Sequence, residues 1–392
     1  MKINLKNGEI PSMSKEFPMN VFEIRDTLDR LKIPDDKPIV EFSISEYDNM
    51  ELPYTLCRRD FSADIYRLNL FAERLKNLDF SGMTAFKSLL IANPECSFED
   101  MLMMTYGLDS VMIYPCRDCC ELGETVIENE MLPEVESCSD EILELLDREK
   151  VGRLMQKREG GVFIDGHYCV TSGYEPPDIN IEIGRPEKCF FRLLIAPSKE
   201  QINQAQWVDL PCNRAALNVF AGNFDMQVEN MICLEFQSAL PRFTETNFGG
   251  MENMDWINSL AGMLSRLSHA DFVKLKAVME LEKIDNISGA INCIDRLSEY
   301  QFDRNIFDQC DFGRAYLLKN IHKNFDCSAF KDMNLCDFGQ VILERKKGEI
   351  TSYGAISGRG QELYSPLTIQ AEQQLSEDLN EDFEIEIGGI SL

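Results

Sequence analysis

The sequence predicts an α+β protein built from two tandem copies of one unit, each with small antiparallel sheets flanking a helical middle. Three observations carry this expectation. Residues 67–127 and 256–317 lie on each other at a constant offset of 189, so that Leu68, Asn69, Phe71, Ala72, Leu75 and Leu78 fall on Ile257, Asn258, Leu260, Ala261, Leu264 and Leu267. Phe86-Lys87 falls on Leu275-Lys276 and, after a one-residue insertion, Glu121-Leu122-Gly123 falls on Asp311-Phe312-Gly313. The flanks repeat too: Phe17-Pro18 matches Leu210-Pro211, Leu52-Pro53 matches Leu240-Pro241, and Val151-Gly152, Arg158 and Gly161 match Phe338-Gly339, Arg345 and Gly348. Finally, strand and hairpin signals sit at the ends of the unit and helical seams in its middle. A repeat of roughly 180 residues is a duplicated domain set, far too long for a solenoid unit.

The elements follow in order. Residues 1–14 read as a β-edge turning at Asn7-Gly8. Val21, Ile24, Leu28 and Leu31 recur at helical spacing, and Pro34 stops that helix. Residues 39–47 alternate, with Val40, Phe42 and Ile44 against Ile39, Glu41, Ser43 and Ser45, which predicts a half-buried strand; 231–236 is its counterpart. Residues 62–92 and 98–106 read as amphipathic helices broken at Asn93-Pro94, with Leu68, Phe71, Leu75 and Leu78 as the first seam. Helices follow over 119–131 and, after Pro133, over 139–157. Residues 160–170 read as a hairpin turning at Asp165-Gly166, and 348–356 as its repeat turning at Tyr353-Gly354. The predicted units are 1–172 (about 1–62 α/β, 63–118 helical, 119–172 acidic helices plus hairpin) and 189–365, joined by a linker over 173–188 and followed by an acidic tail over 366–392.

Charge narrows the function. The chain has 392 residues, 67 acidic and 39 basic, for a net charge of −28, yet 44% of its residues are hydrophobic, enough for real cores. Residues 1–187 hold 37 of the acids and 20 of the bases, and seven acids lie in the tail, so the second unit without its tail is nearly neutral. So large an acidic excess repels nucleic acid and membrane surfaces and favours a basic partner. The N-terminus has no secretory h-region and no stretch approaches a membrane span. Fourteen cysteines in such a chain read as reduced cytosolic thiols.

The strongest local signal is the run from Glu121 to Glu149, with eleven acids against one base: Glu121, Glu124, Glu128, Glu130, Glu134, Glu136, Asp140, Glu141, Glu144, Asp147 and Glu149. Glu121, Glu124 and Glu128 share one helix face. B-DNA carries one negative charge per roughly 1.7 Å of its axis, a density that a chain of acidic helix faces approximates. The plainer reading of the run is a solvated, solubilising face. Cys116, Cys119 and Cys120 contain one CxxC without the second pair a zinc site needs, so neutral thiols are expected there and no metal or other cofactor. His167, His269 and His322 are scattered without ligand spacing. No nucleophile elbow, P-loop, zincin or dinucleotide motif occurs in a usable context, and no carboxylate pair stands out for catalysis. Trp207 reads as core or sheet packing.

Four stretches of the first unit resemble the antirestriction ArdA family of conjugative elements and phages. These are Phe17–Arg25; Ile44–Tyr54; Leu122-Gly123 with Ile127-Glu128; and Leu146–Leu154 followed by the 162–170 hairpin. The resemblance covers 1–172, and 190–360 as a diverged copy. It implies elongated ArdA-like α+β units of three small subdomains that imitate bent B-DNA in shape and charge. Such a protein is a non-catalytic inhibitor: it occupies the DNA site of a Type I restriction-modification enzyme, or of a related host defence enzyme, in the cytoplasm. It binds neither nucleic acid nor membrane. Family members pair into dimers, so a tandem chain is a monomer imitating that dimer, or a homodimer. The phosphate-imitating acids are then the run above, supported by Glu41, Glu46, Asp48 and Glu51. The second copy departs from the pattern, with Phe312-Gly313-Arg314 placing an arginine where the first has Glu124. Two alternatives remain: an acidic scaffold of a mobile element without DNA mimicry, and a carboxylate-based metal-dependent hydrolase.

Overall fold

The computed structural model describes residues 1–8, 10–46, 59–181, 183, 189–321 and 333–366. The chain divides into two compact units, Met1–Lys188 and Cys189–Leu392, and is mixed α+β with four small antiparallel sheets among the described residues.

In the first unit, β1 (Lys2–Asn7) pairs with β2 (Ile10–Glu16) and with β3 (Ile39–Glu46), and β4 (Phe61–Asp64) closes the sheet in the order β2-β1-β3-β4. β1 is therefore central, and only β2 is the edge expected of residues 1–14. The alternation in β3 buries Val40, Phe42 and Ile44 as expected. α1 (Val21–Arg30) starts in a capping box between Asn20 and Glu23 and ends at Leu31, before Pro34. The stretch read as one helix over 62–92 is β4 followed by α2 (Ile65–Lys76) and α3 (Phe80–Ala92). Asp79 breaks it, because its carboxylate caps the Gly82 N–H at 2.7 Å. α4 (Phe98–Met104) follows a second capping box, Ser97 with Asp100. Phe42, Phe71, Phe86, Phe98 and Met101 fill the core between sheet and helices.

After β5 (Met112–Tyr114) come α5 (Cys119–Glu128), α6 (Pro133–Glu136), α7 (Asp140–Leu143) and α8 (Arg148–Glu159). The helix expected over 139–157 is thus two helices, broken where Asp147 caps the Lys150 N–H. The hairpin β6 (Val162–Ile164) and β7 (His167–Val170) forms where expected, and β5 adds to β7. The start of the expected linker is packed: the Tyr174 hydroxyl donates to the Met103 and Tyr106 carbonyls, and Ile181 leans on the core.

The second unit has β8 (Phe191–Ala196) between β9 (Gln206–Leu210) and, after α9 (Arg214–Gly222), β10 (Ile232–Ser238). Its helices are α10 (Glu245–Phe248), α11 (Met254–Leu264), α12 (His269–Leu281) and α13 (Ile287–Asp295). β11 (Phe302–Asp303), α14 (Gln309–Asn320), α15 (Leu335–Arg345) and the hairpin β12 (Glu349–Thr351) and β13 (Gly354–Ile356) complete it. Of the two readings of Trp207, sheet packing holds and core does not: it lies on β9 opposite Leu194, 43% exposed, with the Arg192 guanidinium over its ring.

Several contacts recur at matched positions. Asn69 accepts from the Met19 N–H and donates to the Met19 carbonyl, and Asn258 does the same to Cys212. The Phe17–Pro18 and Leu210–Pro211 peptides are both cis. Gly123 and Gly152 bring the backbones of α5 and α8 together, as Gly313 and Gly339 do for α14 and α15. Lys87 and Lys276 are both buried. Lys87 meets Asp165 in one hairpin turn at 2.8 Å, whereas Lys276 sits over Tyr353 in the other. One expectation is corrected here: Cys310 and Cys336 form a disulfide, so not every thiol is free. Glycine-mediated packing of α14 on α15 brings their Cα atoms to 3.9 Å, a long-range approach that chain position does not reveal.

Candidate functional site

The acidic run folds into a helical cap over a small apolar core of Leu122, Val126, Leu132, Val135, Val151 and Met155. Leu122, Val126 and Val135, which face inward, fix which sides of the first two helices of the run face water. In α5, Leu122, Gly123 and Val126 are buried, while Glu121 and Glu124 are half-buried and Glu128 is exposed. Asp118 caps this helix through the Cys120 and Glu121 N–H groups, and Glu121 accepts from the Arg117 N–H at 2.8 Å. Glu130 turns the chain with φ 49°, Pro133 opens α6, and Val135 pins it to the core.

Apart from Glu121, held by the Arg117 backbone, the acids separate into two groups. Glu124, Glu134, Asp147 and Glu149 are held by cations. Arg148 reaches Glu124 at 3.3 Å, Lys150 reaches Asp147 at 3.3 Å, and Arg153 reaches Glu149 at 2.6 Å. Arg158 grips Glu134 with both terminal nitrogens, at 2.9 and 2.6 Å. These pairs are open to water, so they orient side chains more than they stabilise the fold. Hydrogen bonds from Arg158 hold Glu134 below its ordinary carboxylate range, and the Lys150 N–H does the same for Asp147. Glu128, Glu130, Glu136, Asp140, Glu141 and Glu144 are exposed and have no cation partner among the described residues. The run also has a boundary. α8 returns Arg148, Lys150, Arg153, Lys157 and Arg158, so the uncompensated charge belongs to α5, α6 and α7.

Other expected site residues lie elsewhere. Glu41 and Glu46 are exposed on β3, and Glu46 is 3.9 Å from Lys2. Asp48, Glu51, His322 and the tail beyond residue 366 lie outside the described residues. The matched helices of the second unit carry mixed charge, with Arg314 3.8 Å from Asp311 and Lys319 over the Tyr364 ring.

Cys116 is buried with its Sγ 3.2 Å from the Thr125 hydroxyl, Cys119 lies near Gln156, and Cys120 is exposed. Among the described residues no three His, Cys, Asp or Glu side chains gather as a metal-holding group. His167 places Nδ1 2.9 Å from the Asp165 carbonyl and its ring against Phe80. A cavity of about 900 Å³ lies between α3, α4 and residues 171–178; its charged lining is Glu95, Asp100 and Asp178, with no lysine or arginine. No described helix is long and apolar enough to cross a membrane. Sequence reasoning missed the cation clamps on α8, whose partners lie up to 24 residues away, and two exposed apolar side chains within the run, Ile142 and Leu145.

No protein-family model matches the chain, and no curated protein matches it.

Proposed function

We propose that this chain is a non-catalytic, ArdA-like DNA mimic that competes for the DNA-binding site of a Type I restriction-modification enzyme or a related host defence enzyme. The observation that carries the reading is the set of six exposed carboxylates on α5, α6, α7 and their connections with no cation partner among the described residues. A basic channel built for phosphates gains charge-assisted contacts from such a surface and loses them as salt rises. The clamped acids support the reading differently: their geometry is set before binding, which lowers the ordering cost on contact.

The proposal includes descent of the two units from one duplicated unit. Its support is the matched asparagine clamps, glycine crossings and buried lysines. The nearly neutral second copy then serves as scaffold or partner surface.

The test is charge reversal in a Type I methyltransferase inhibition assay. Glu128→Lys, Glu141→Lys and Glu144→Lys together abolish inhibition while the circular dichroism spectrum is unchanged. Glu124 is better left out of that set, because a lysine there would face Arg148 and disturb the α5–α8 contact. Undiminished inhibition by the triple variant would remove this face from the account.

A further inference from the structure

The segment 139–146 carries apolar side chains in two pairs, one partly buried and one exposed. Leu143 and Leu146 lean on the core of the acidic cap. Ile142 and Leu145, each one residue earlier, do not: they are 50% and 86% exposed. The backbone explains the pairing. Leu145 N–H donates to Ile142 and Leu146 N–H donates to Leu143, so each pair is one tight turn apart and the two pairs face different ways. Asp140, Glu141 and Glu144, all exposed, flank the outward pair in sequence. Two open apolar side chains one turn apart make a small joint patch rather than a singly scattered exposure.

We propose that the Ile142–Leu145 turn is an apolar anchor for a basic protein segment, whose lysines or arginines meet Asp140, Glu141 and Glu144 while one of its apolar side chains covers Leu145. Charge complementarity fixes the occupant. Nucleic acid and an anionic lipid surface are repelled by the acids. A second copy of this chain would set the same acids against one another, a like-charge cost that opposes self-association. A basic helix with an apolar stripe meets both halves of the patch, an exposed anchor inside a polar rim. The inference rests on the proposed function only in treating the acidic run as a contact surface. It adds that the contact has a component that salt does not screen.

The test uses the full chain and two labelled helical peptides of equal positive charge, one with a leucine stripe and one with alanine in its place. Fluorescence anisotropy is read at low and high salt. The leucine peptide binds about tenfold tighter, from burial of one leucine-sized surface, and keeps that margin at high salt. Leu145→Ser removes the margin without changing binding of the alanine peptide, and Ile142→Ser reduces it. Glu141→Gln with Glu144→Gln weakens both peptides and flattens their salt dependence. Equal binding of the two peptides, or a margin that survives Leu145→Ser, overturns the anchor. Concentration-dependent dimerisation abolished by Leu145→Ser in sedimentation would overturn it too, by making the patch a self-interface. No DNA-binding enzyme enters the experiment, so its failure and failure of the DNA-competition reading are separate results.

Discussion

Replacing Gly152 by alanine should separate the two helices that carry and clamp the acidic run. A Cβ built at Gly152 would lie 1.9 Å from the Cys119 carbonyl oxygen and 3.0 Å from the Gly123 nitrogen. Both atoms are backbone, so no rotamer change relieves the clash, and α5 and α8 must part by roughly 1 Å in a close-packed core. Leu122, Val126, Val151 and Met155 then lose contact across the gap. Overpacking of this kind costs about 1–3 kcal/mol, while the helix preference of alanine over glycine returns at most about 1 kcal/mol. A 1.9 Å clash with backbone puts the cost in the upper half of that range, so the net expectation is a loss of about 1–2 kcal/mol. Gly262 in α11 supplies the control, because its Cβ would meet nothing within 4 Å. Gly262→Ala keeps only the favourable part and stabilises by about 0.5–1 kcal/mol. Urea unfolding followed by circular dichroism gives both midpoints, and amide hydrogen exchange shows whether α5 and α8 open first in Gly152→Ala. A Gly152→Ala midpoint at or above that of the parent protein would refute the packing argument.

Three further outcomes follow from the same geometry. Asn69→Ala strips partners from the buried Met19 N–H and carbonyl and should cost about 2–6 kcal/mol in thermal unfolding, at about 1–3 kcal/mol for each of the two groups left unsatisfied. Asp165→Ala strands the buried Lys87 ammonium and should cost about 1–2 kcal/mol given the partial exposure of Asp165, whereas Lys87→Met removes the charge with the pair and should cost less; denaturant midpoints of the two variants decide the order. The Glu134 carboxyl, depressed first by Arg158, should titrate below the ordinary carboxylate range in a carbon-detected NMR titration and rise toward it in Arg158→Gln. Because that pKa is lowered on folding, the linked stabilisation is present above the ordinary carboxylate value of about 4.3 and is lost as pH falls through the depressed one.

Much of the local structure was legible because it rests on local chemistry. The alternation in 39–47 names the buried face of β3, and the Asp165-Gly166 and Tyr353-Gly354 turns locate both hairpins. Two helices were drawn too long, since Asp79 and Asp147 cap new helices without any glycine or proline to mark the break. The short strands β4, β5 and β11 escaped notice because two to four residues carry no period of their own, and partners far along the chain define them. The acidic run itself was plain in composition. Its division into clamped and uncompensated acids was not, because Arg158 meets Glu134 only once α8 packs beside α6. The Cys310–Cys336 bond, the Lys87–Asp165 pair and the outward turn of Leu145 are likewise products of packing.

The central claim is competition for a DNA site, and one titration tests it most directly. The purified chain is added to a Type I methyltransferase bound to labelled duplex DNA, at low and at high salt. The account predicts displacement of the DNA at near-stoichiometric protein, weakening as salt rises. A folded, monodisperse protein that leaves the DNA bound at either salt would contradict it.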